Sequence, residues 1–264
     1  MTVIYGRHVT RFLSISALIS SVALTACSVA PDGVAIHDPY EDTNRKVHEF
    51  NTGLDRAVLR PASRVTNAMP VVVTEPVSNF ADHVGLPGMV VNGVLQGDIQ
   101  GAGTNAFRFV VNTIFGIGGL FDPADAIGIY AEDTDFGETL AVWGVPEGAY
   151  VVLPGFGPST ERDAAGRIVD FVIDPLDSIV QSDVLPYATG SRAADIVIKR
   201  GRFGDTVDSV LYESADSYAQ MRVFYLDSRR YELGTTVVDA SSDPYADPYA
   251  DPYADPYFDP YEDQ

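Results

Sequence analysis

The chain has 264 residues, 46% of them hydrophobic, and a formal net charge of −20. That length can bury one sizeable core plus tails, and the acidity excludes adhesion to nucleic acid, or to an anionic lipid surface, through a general basic field. A lone cysteine, Cys27, excludes an internal disulfide and a thiolate metal cluster.

The N-terminus reads as an address. Arg7 and Arg11 precede an apolar run, Phe12 to Ala26, closed by Leu24-Thr25-Ala26-Cys27. A positive flank, a short apolar region and small residues before a cleavage point make residues 1–26 a secretory signal peptide, too short for a membrane span. Leu-x-Ala-Cys resembles a bacterial lipoprotein cleavage box, with Cys27 as the lipidated first residue of the mature chain. Ordinary cleavage near Ala26, leaving a free thiol, is the alternative. Ser28, rather than Asp, fits the pattern sorted onward to the outer membrane. Residues 27–41 then form a small, proline-broken, lipidated tether.

The body, 42–233, is mainly α with at most a small β-hairpin. A first helix starts near Asp42 or Thr43, carries Val47, Phe50, Leu54, Ala57 and Val58 at helical spacing, and ends at Pro61. A second starts at Thr74, with Glu75 and Pro76 in its first turn and Val77, Phe80, Ala81 and Val84 on its apolar face. Between Phe136 and Pro154 a short helix gives way to a strand, Tyr150–Leu153. Thr160, three residues before Asp163, signals a capped helix running to about Val172. Leu176–Leu185, Arg192–Arg200 and Ser214–Arg230 are further helices, the last with Tyr218, Met221 and Tyr225 on one face.

The most informative stretch is Pro87–Phe121. It contains two uncharged runs, Val84–Gly97 and Phe109–Phe121, each too short to cross a bilayer as a helix. Asn105, Arg108 and Asn112 fall at i, i+3 and i+7, one narrow polar stripe on an otherwise apolar helix. Such a helix suits a body that meets hydrocarbon on one side and lines a polar path on the other; a core helix with one satisfied arginine is the alternative. The glycines here allow sharp turns and close helix contact and make no phosphate loop.

Catalytic signatures are missing. His37, His48 and His83 are scattered, and no HExxH, GxSxG or CxxC occurs. Glu132-Asp133-Thr134-Asp135 lacks the spacing of an EF-hand and reads as a solvated turn. Ser159 has no histidine to activate it. The expectation is a protein that is not an enzyme and needs no cofactor or metal.

Asn44-Arg45, Phe50-Asn51 and Arg60-Pro61, followed in order by Asn79-Phe80, Asn92, Leu95-Gln96-Gly97, Arg108-Phe109, Asn112-Thr113, Gly118-Gly119, Asp122, Phe136-Gly137, Gly157-Pro158-Ser159 and Arg162-Asp163, resemble the motif series of the MlaA (VacJ) family. His48 and His83 depart from it, standing where the family pattern has an aromatic and an asparagine. The resemblance implies a ring-like helical body embedded in one leaflet of the outer membrane, on its periplasmic face, enclosing an amphipathic channel. It further implies removal of mislocalised phospholipid from the outer leaflet, hand-over to a soluble periplasmic lipid carrier, and a trimeric porin as neighbour. Arg108, with Asn105 and Asn112, is then expected to face the channel and meet lipid phosphate. The alternative is a non-transporting envelope scaffold lipoprotein that binds porin or cell wall.

Past the body, residues 234–264 carry Asp-Pro-Tyr at 243, 247, 251, 255 and 259. Proline every fourth residue forbids a regular helix and the acid load discourages collapse, so this is expected to be a disordered tail. Extended, Asp243 to Gln264 would reach ~70 Å, enough for a tether whose tyrosines dock a periplasmic partner or the cell wall.

Overall fold

A computed structural model describes residues 28, 34–173 and 185–234. Cys27, the expected helix over 176–184 and the Asp-Pro-Tyr tail lie outside the described residues. The described chain is mainly helical, with one two-stranded sheet. In order it runs α1 (Glu41–Leu54), a π turn (Asp55–Leu59), α2 (Arg60–Asn67), α3 (Val71–His83), α4 (Leu86–Gln96), α5 (Ile99–Ile114) and the short α6 (Pro123–Ala126). It continues with α7 (Phe136–Val142), β1 (Tyr150–Leu153), β2 (Gly157–Thr160), α8 (Glu161–Ile173), α9 (Leu185–Arg202), α10 (Gly204–Asp208), a second π turn (Ser209–Glu213) and α11 (Ser217–Glu232). Backbone packing divides the chain into Met1–Tyr225 and Leu226–Gln264. Of the latter, the described part is the end of α11 and its turn, where Ser228 and Arg229 both bond Glu232.

Pro61 does not end the first helix. Arg60 donates its backbone N–H back five residues to Asp55 O, opening a π turn immediately before the proline. The wider turn relieves the contact between the proline ring and the carbonyl four residues earlier, and no N–H is needed from Pro61 itself. The second helix also starts earlier than Thr74: Pro70 sets the chain direction, and α3 begins at Val71, which places Pro76 inside it. Thr160 caps α8 as expected, accepting from Asp163 N at 3.2 Å.

Buried polar and charged residues outnumber buried apolar ones among the described residues, whereas many large apolar side chains are exposed. On α1 and the π turn that follows it the buried positions are Asn44, His48 and Asp55, while Phe50 and Val58 face outward. These three are paired; an unpaired buried group costs ~1–3 kcal/mol. Asn44 and Asn51, two turns apart on α1, line the free edge of β1. The Asn44 amide donates to Tyr150 O (3.0 Å) and accepts from Val152 N (2.9 Å); that of Asn51 donates to Leu153 O (2.9 Å) and accepts from Gly155 N (2.7 Å). His37 O takes the remaining Tyr150 N–H. Two side-chain amides thus stand in for a third strand.

Farther along α1, Arg200 of α9 forks onto Asp55 (2.7 and 2.9 Å) and also bonds Asp208, which Arg60 shares; Tyr212 donates to Asp55. This cluster pins the π turn against α9. Arg45 forks onto Asp216 and lies over the Tyr218 ring. Glycines permit two close crossings: a Cβ on Gly93 would press on Ala102 of α5, and one on Gly166 would strike the Gly137 backbone at 2.4 Å.

Replacing Asn44 by Asp should destabilise the fold by about 1–3 kcal/mol despite equal size, because a carboxylate cannot donate to Tyr150 O and would face Asp38; unfolding in detergent measures it. The pH response has a defined sign. Burial holds His48 below the ordinary histidine value, so its neutral form is the folded one. The stability is full above about pH 6.5, where the unfolded histidine is also neutral, and falls as pH drops through that value towards the depressed folded one. Asp216, held down to about 2 chiefly by its bond from Arg45, loses its contribution only at lower pH. His48→Gln should therefore flatten the fall in melting temperature between pH 7 and pH 5.

Candidate functional site

The polar stripe expected on α5 forms, and it points inward. Asn105, Arg108 and Asn112 are all at least 95% buried, while Phe107, Val110, Ile114 and Phe115 on the same helix are exposed. Asp98 caps the helix start by accepting from Gly101 N at 3.0 Å. The stripe holds the segment Asp122–Glu132 against the helix. Asn105 exchanges two bonds with the Glu132 backbone, at 2.8 and 3.0 Å. Arg108 bonds Ile129 O and pairs with Asp122 at 2.6 Å. Asn112 donates to the other Asp122 oxygen (2.9 Å) and accepts from Ala124 N (3.2 Å). Asp122 also caps α6. The arginine is therefore in an internal ion pair.

Beside this pair lies a polar cavity of about 230 Å³, lined by side chains from α3, α4, α5 and α9 and by the 122–133 segment. Its lining includes Arg108, Asn112 and Asp122, which are bonded to one another, the Lys199–Asp82 pair, Asp133, His83 and Met89. Burial pulls the Lys199 ammonium down, but its hydrogen bonds to Asp195 and Asp82 outweigh that and hold it above the usual lysine value. His83 is pushed down by burial. It stacks on Phe109 at 4.7 Å and meets Thr113 Oγ1 at 3.2 Å. Thr113 spends its only proton on Phe109 O, so its oxygen accepts from His83 Nε2–H.

A second cavity of about 260 Å³ opens on the other side of Met89, between the start of α4, the 134–135 turn, α8 and α9. Asn92 lines it and links three elements, bonding Asp170 at 2.9 Å and Thr139 at 3.1 Å. Outside, along the far side of α3, runs an apolar groove of about 710 Å³ lined by Val77, Phe80, Ile117, Leu120 and Tyr187. Polar space thus lies on one side of α3 and apolar surface on the other.

The motif residues divide between scaffold and cavity. Asn44 and Asn51 hold the hairpin, Arg45 and Arg60 serve ion pairs, Pro61 follows the π turn, and Phe50 is exposed. Arg162 and Asp163 are buried together 3.5 Å apart, and Tyr225 bonds Asp163. Gly118 and Gly119 turn the chain after α5 with φ of 67° and 90°. A Cβ on Gly119 would enter the His83 ring at 2.3 Å, so this glycine keeps His83 at the cavity. Asp82 and Lys199, absent from the sequence reading, complete the cavity wall from helices 117 residues apart in sequence. Neither sits in a local motif, so no sequence signal marked them.

Comparison with known proteins agrees with this architecture. A family model described as MlaA lipoprotein matches residues 36–232. The chain is 31% identical over 218 residues to the intermembrane phospholipid transport system lipoprotein MlaA of Escherichia coli, covering 81% of this chain and 85% of that protein. It is 35% identical over 163 residues to the protein of the same name from Haemophilus influenzae, covering 59% and 65%. An uncharacterised Rickettsia typhi protein is 35% identical over 189 residues, covering 71% and 74%. A chain solved in work on the structural basis for maintenance of bacterial outer membrane lipid asymmetry superposes with a TM-score of 0.61 at 29% identity, covering 74% of this chain and 98% of that one. With the family model spanning the whole described body, the chain belongs to the MlaA lipoprotein family.

Proposed function

We propose that this protein is an outer-membrane lipoprotein, anchored through Cys27 on the periplasmic face, that removes mislocalised phospholipid from the outer leaflet and so maintains lipid asymmetry. The observation that carries this reading is a polar cavity enclosed by helices whose outer faces are apolar. No helix among the described residues is long and apolar enough to cross a membrane, which fits a body seated in one leaflet. The curated relatives named for intermembrane phospholipid transport support the same reading.

The physical task is to move a charged headgroup through a layer where unpaired polar groups cost several kcal/mol. The cavity lining provides partners: Asn112, Arg108 and Asp122, together with Lys199 and Asp82. The Arg108 guanidinium is held by Asp122 and Ile129 O. A lipid phosphate offers the same forked acceptor as the Asp122 carboxylate and competes with it. Asn105 and Asn112 hold the 122–132 segment in place while Arg108 changes partner. Acyl chains travel along the apolar exterior. Lipid leaving on the periplasmic side passes to a soluble carrier, and a trimeric porin beside the body gives access to the outer leaflet.

The test is complementation of a strain lacking this gene, scored by surface-exposed phospholipid and by resistance to detergent with chelator. Wild-type protein should restore both. Arg108→Ala alone leaves the partly buried Asp122 carboxylate without its counter-ion, so the informative variants are Arg108→Ala/Asp122→Ala and the more exposed Lys199→Ala. Compared at matched abundance in the outer membrane, each should leave surface phospholipid high. Full restoration of asymmetry by both variants would refute the role of the cavity in transport. Morphological defects without loss of asymmetry in the deletion strain would favour the scaffold reading.

A further inference from the structure

Ser28, the residue after the lone cysteine, is bound to the body. Its backbone N–H donates to Glu161 Oε2 at 2.7 Å, and its hydroxyl reaches the same oxygen at 3.2 Å. The Ser28 hydroxyl also meets His37 Nε2 at 3.1 Å. Glu161 accepts from Ala149 N (3.2 Å) through the same oxygen and from the Tyr40 hydroxyl (3.2 Å) through the other. Its own backbone N–H bonds Ala149 O at 2.9 Å. One carboxylate at the start of α8 therefore gathers residues 28, 40 and 149, which the sequence separates widely. His37 is fixed in turn, because its carbonyl takes the Tyr150 N–H at the start of β1.

We propose that Glu161, with His37 and Tyr40, is a docking site for the N-terminus of the mature chain, and that it fixes the place where the lipid anchor leaves the body. The proposal rests on the reading of Cys27 as the acylated residue. Peptide geometry makes the link tight, since neighbouring Cα atoms are about 3.8 Å apart. An undocked tether from Ser28 to His37 would let the anchor wander by about 30 Å, at ~3.3 Å or more per residue. Docking removes that freedom.

The position is matched to α8. Its far end exposes Ile168, Phe171 and Val172, an apolar stripe at i, i+3 and i+4. From Glu161 to Phe171 the helix rises about 15 Å, half of a hydrocarbon core of about 30 Å. The carboxylate that holds the chain at Ser28 and the apolar stripe thus lie on one helix, separated by about the depth of one leaflet.

The test is hydrogen–deuterium exchange of the full-length lipidated protein in vesicles of phosphatidylethanolamine and phosphatidylglycerol, following peptides over 28–40. Glu161→Gln removes the charged acceptor and should speed exchange roughly tenfold, with α5 peptides unchanged as the folding control. Ser28→Ala leaves β1 and Glu161 intact and should give a smaller increase. In the double variant it should add nothing, because both act through one contact. Wild-type exchange over 28–40 as fast as in Glu161→Gln, or additive effects of the two substitutions, would overturn the docking site. The mass of the N-terminal peptide reports acylation separately: an unmodified Cys27 with slow exchange would sink the anchor reading, while leaving the contact itself standing.

Discussion

The pairing of the α5 stripe with the Asp122–Glu132 segment is the contact on which the candidate site depends. Arg108 and Asn112 share the two oxygens of Asp122, and Asn105 takes both polar groups of the Glu132 backbone. This seats the segment that carries α6 along the inner face of an apolar helix. In a low-dielectric setting such a network is rigid when complete and costly when one member is lost. The cavity wall is built from these same residues, so its shape is set by the network that stabilises it.

The same logic recurs through the body. Asn44 and Asn51 satisfy the edge of β1, Arg200 and Tyr212 satisfy Asp55 at the π turn, and Asn92 joins Thr139 to Asp170. In a water-soluble domain, buried apolar area is the main favourable contribution and polar groups lie outside. Here the apolar side chains are largely outward and specific polar contacts hold helices together inside. In the membrane setting proposed above, a body surrounded by hydrocarbon would gain little from hiding leucine or phenylalanine, and close packing and hydrogen bonds would take over. The tight crossings at Gly93 and Gly166 belong to that arrangement.

Two proline positions show why local reading errs in such a chain. Pro61 carries a strong stop signal, yet the chain remains helical because a π turn absorbs the ring. Pro76 resembles a first-turn proline, yet Val71–Val73 extend the helix before it with exposed apolar side chains. An exposed valine run offers no amphipathic period to read. Propensity and periodicity assume that apolar side chains turn inward, and at these positions they do not.

What the sequence determined by itself was the set of local facts: the stripe at 105, 108 and 112, the strand at Tyr150–Leu153, the cap at Thr160, and the ordered motifs that place the chain in its family. These follow from spacing and residue chemistry within a few turns of chain. Only the tertiary structure decided what the stripe touches. Asp122 was legible as a motif residue, but its claim on Arg108 required the turn at Gly118-Gly119 to fold the chain back. Lys199 and Asp82 meet at the cavity because α3 and α9 pack side by side, and Ser28 meets Glu161 across most of a domain's length of chain. Long-range pairs of this kind have no period and no local signature; their partners are chosen by packing, where an unpaired buried charge is too costly to keep.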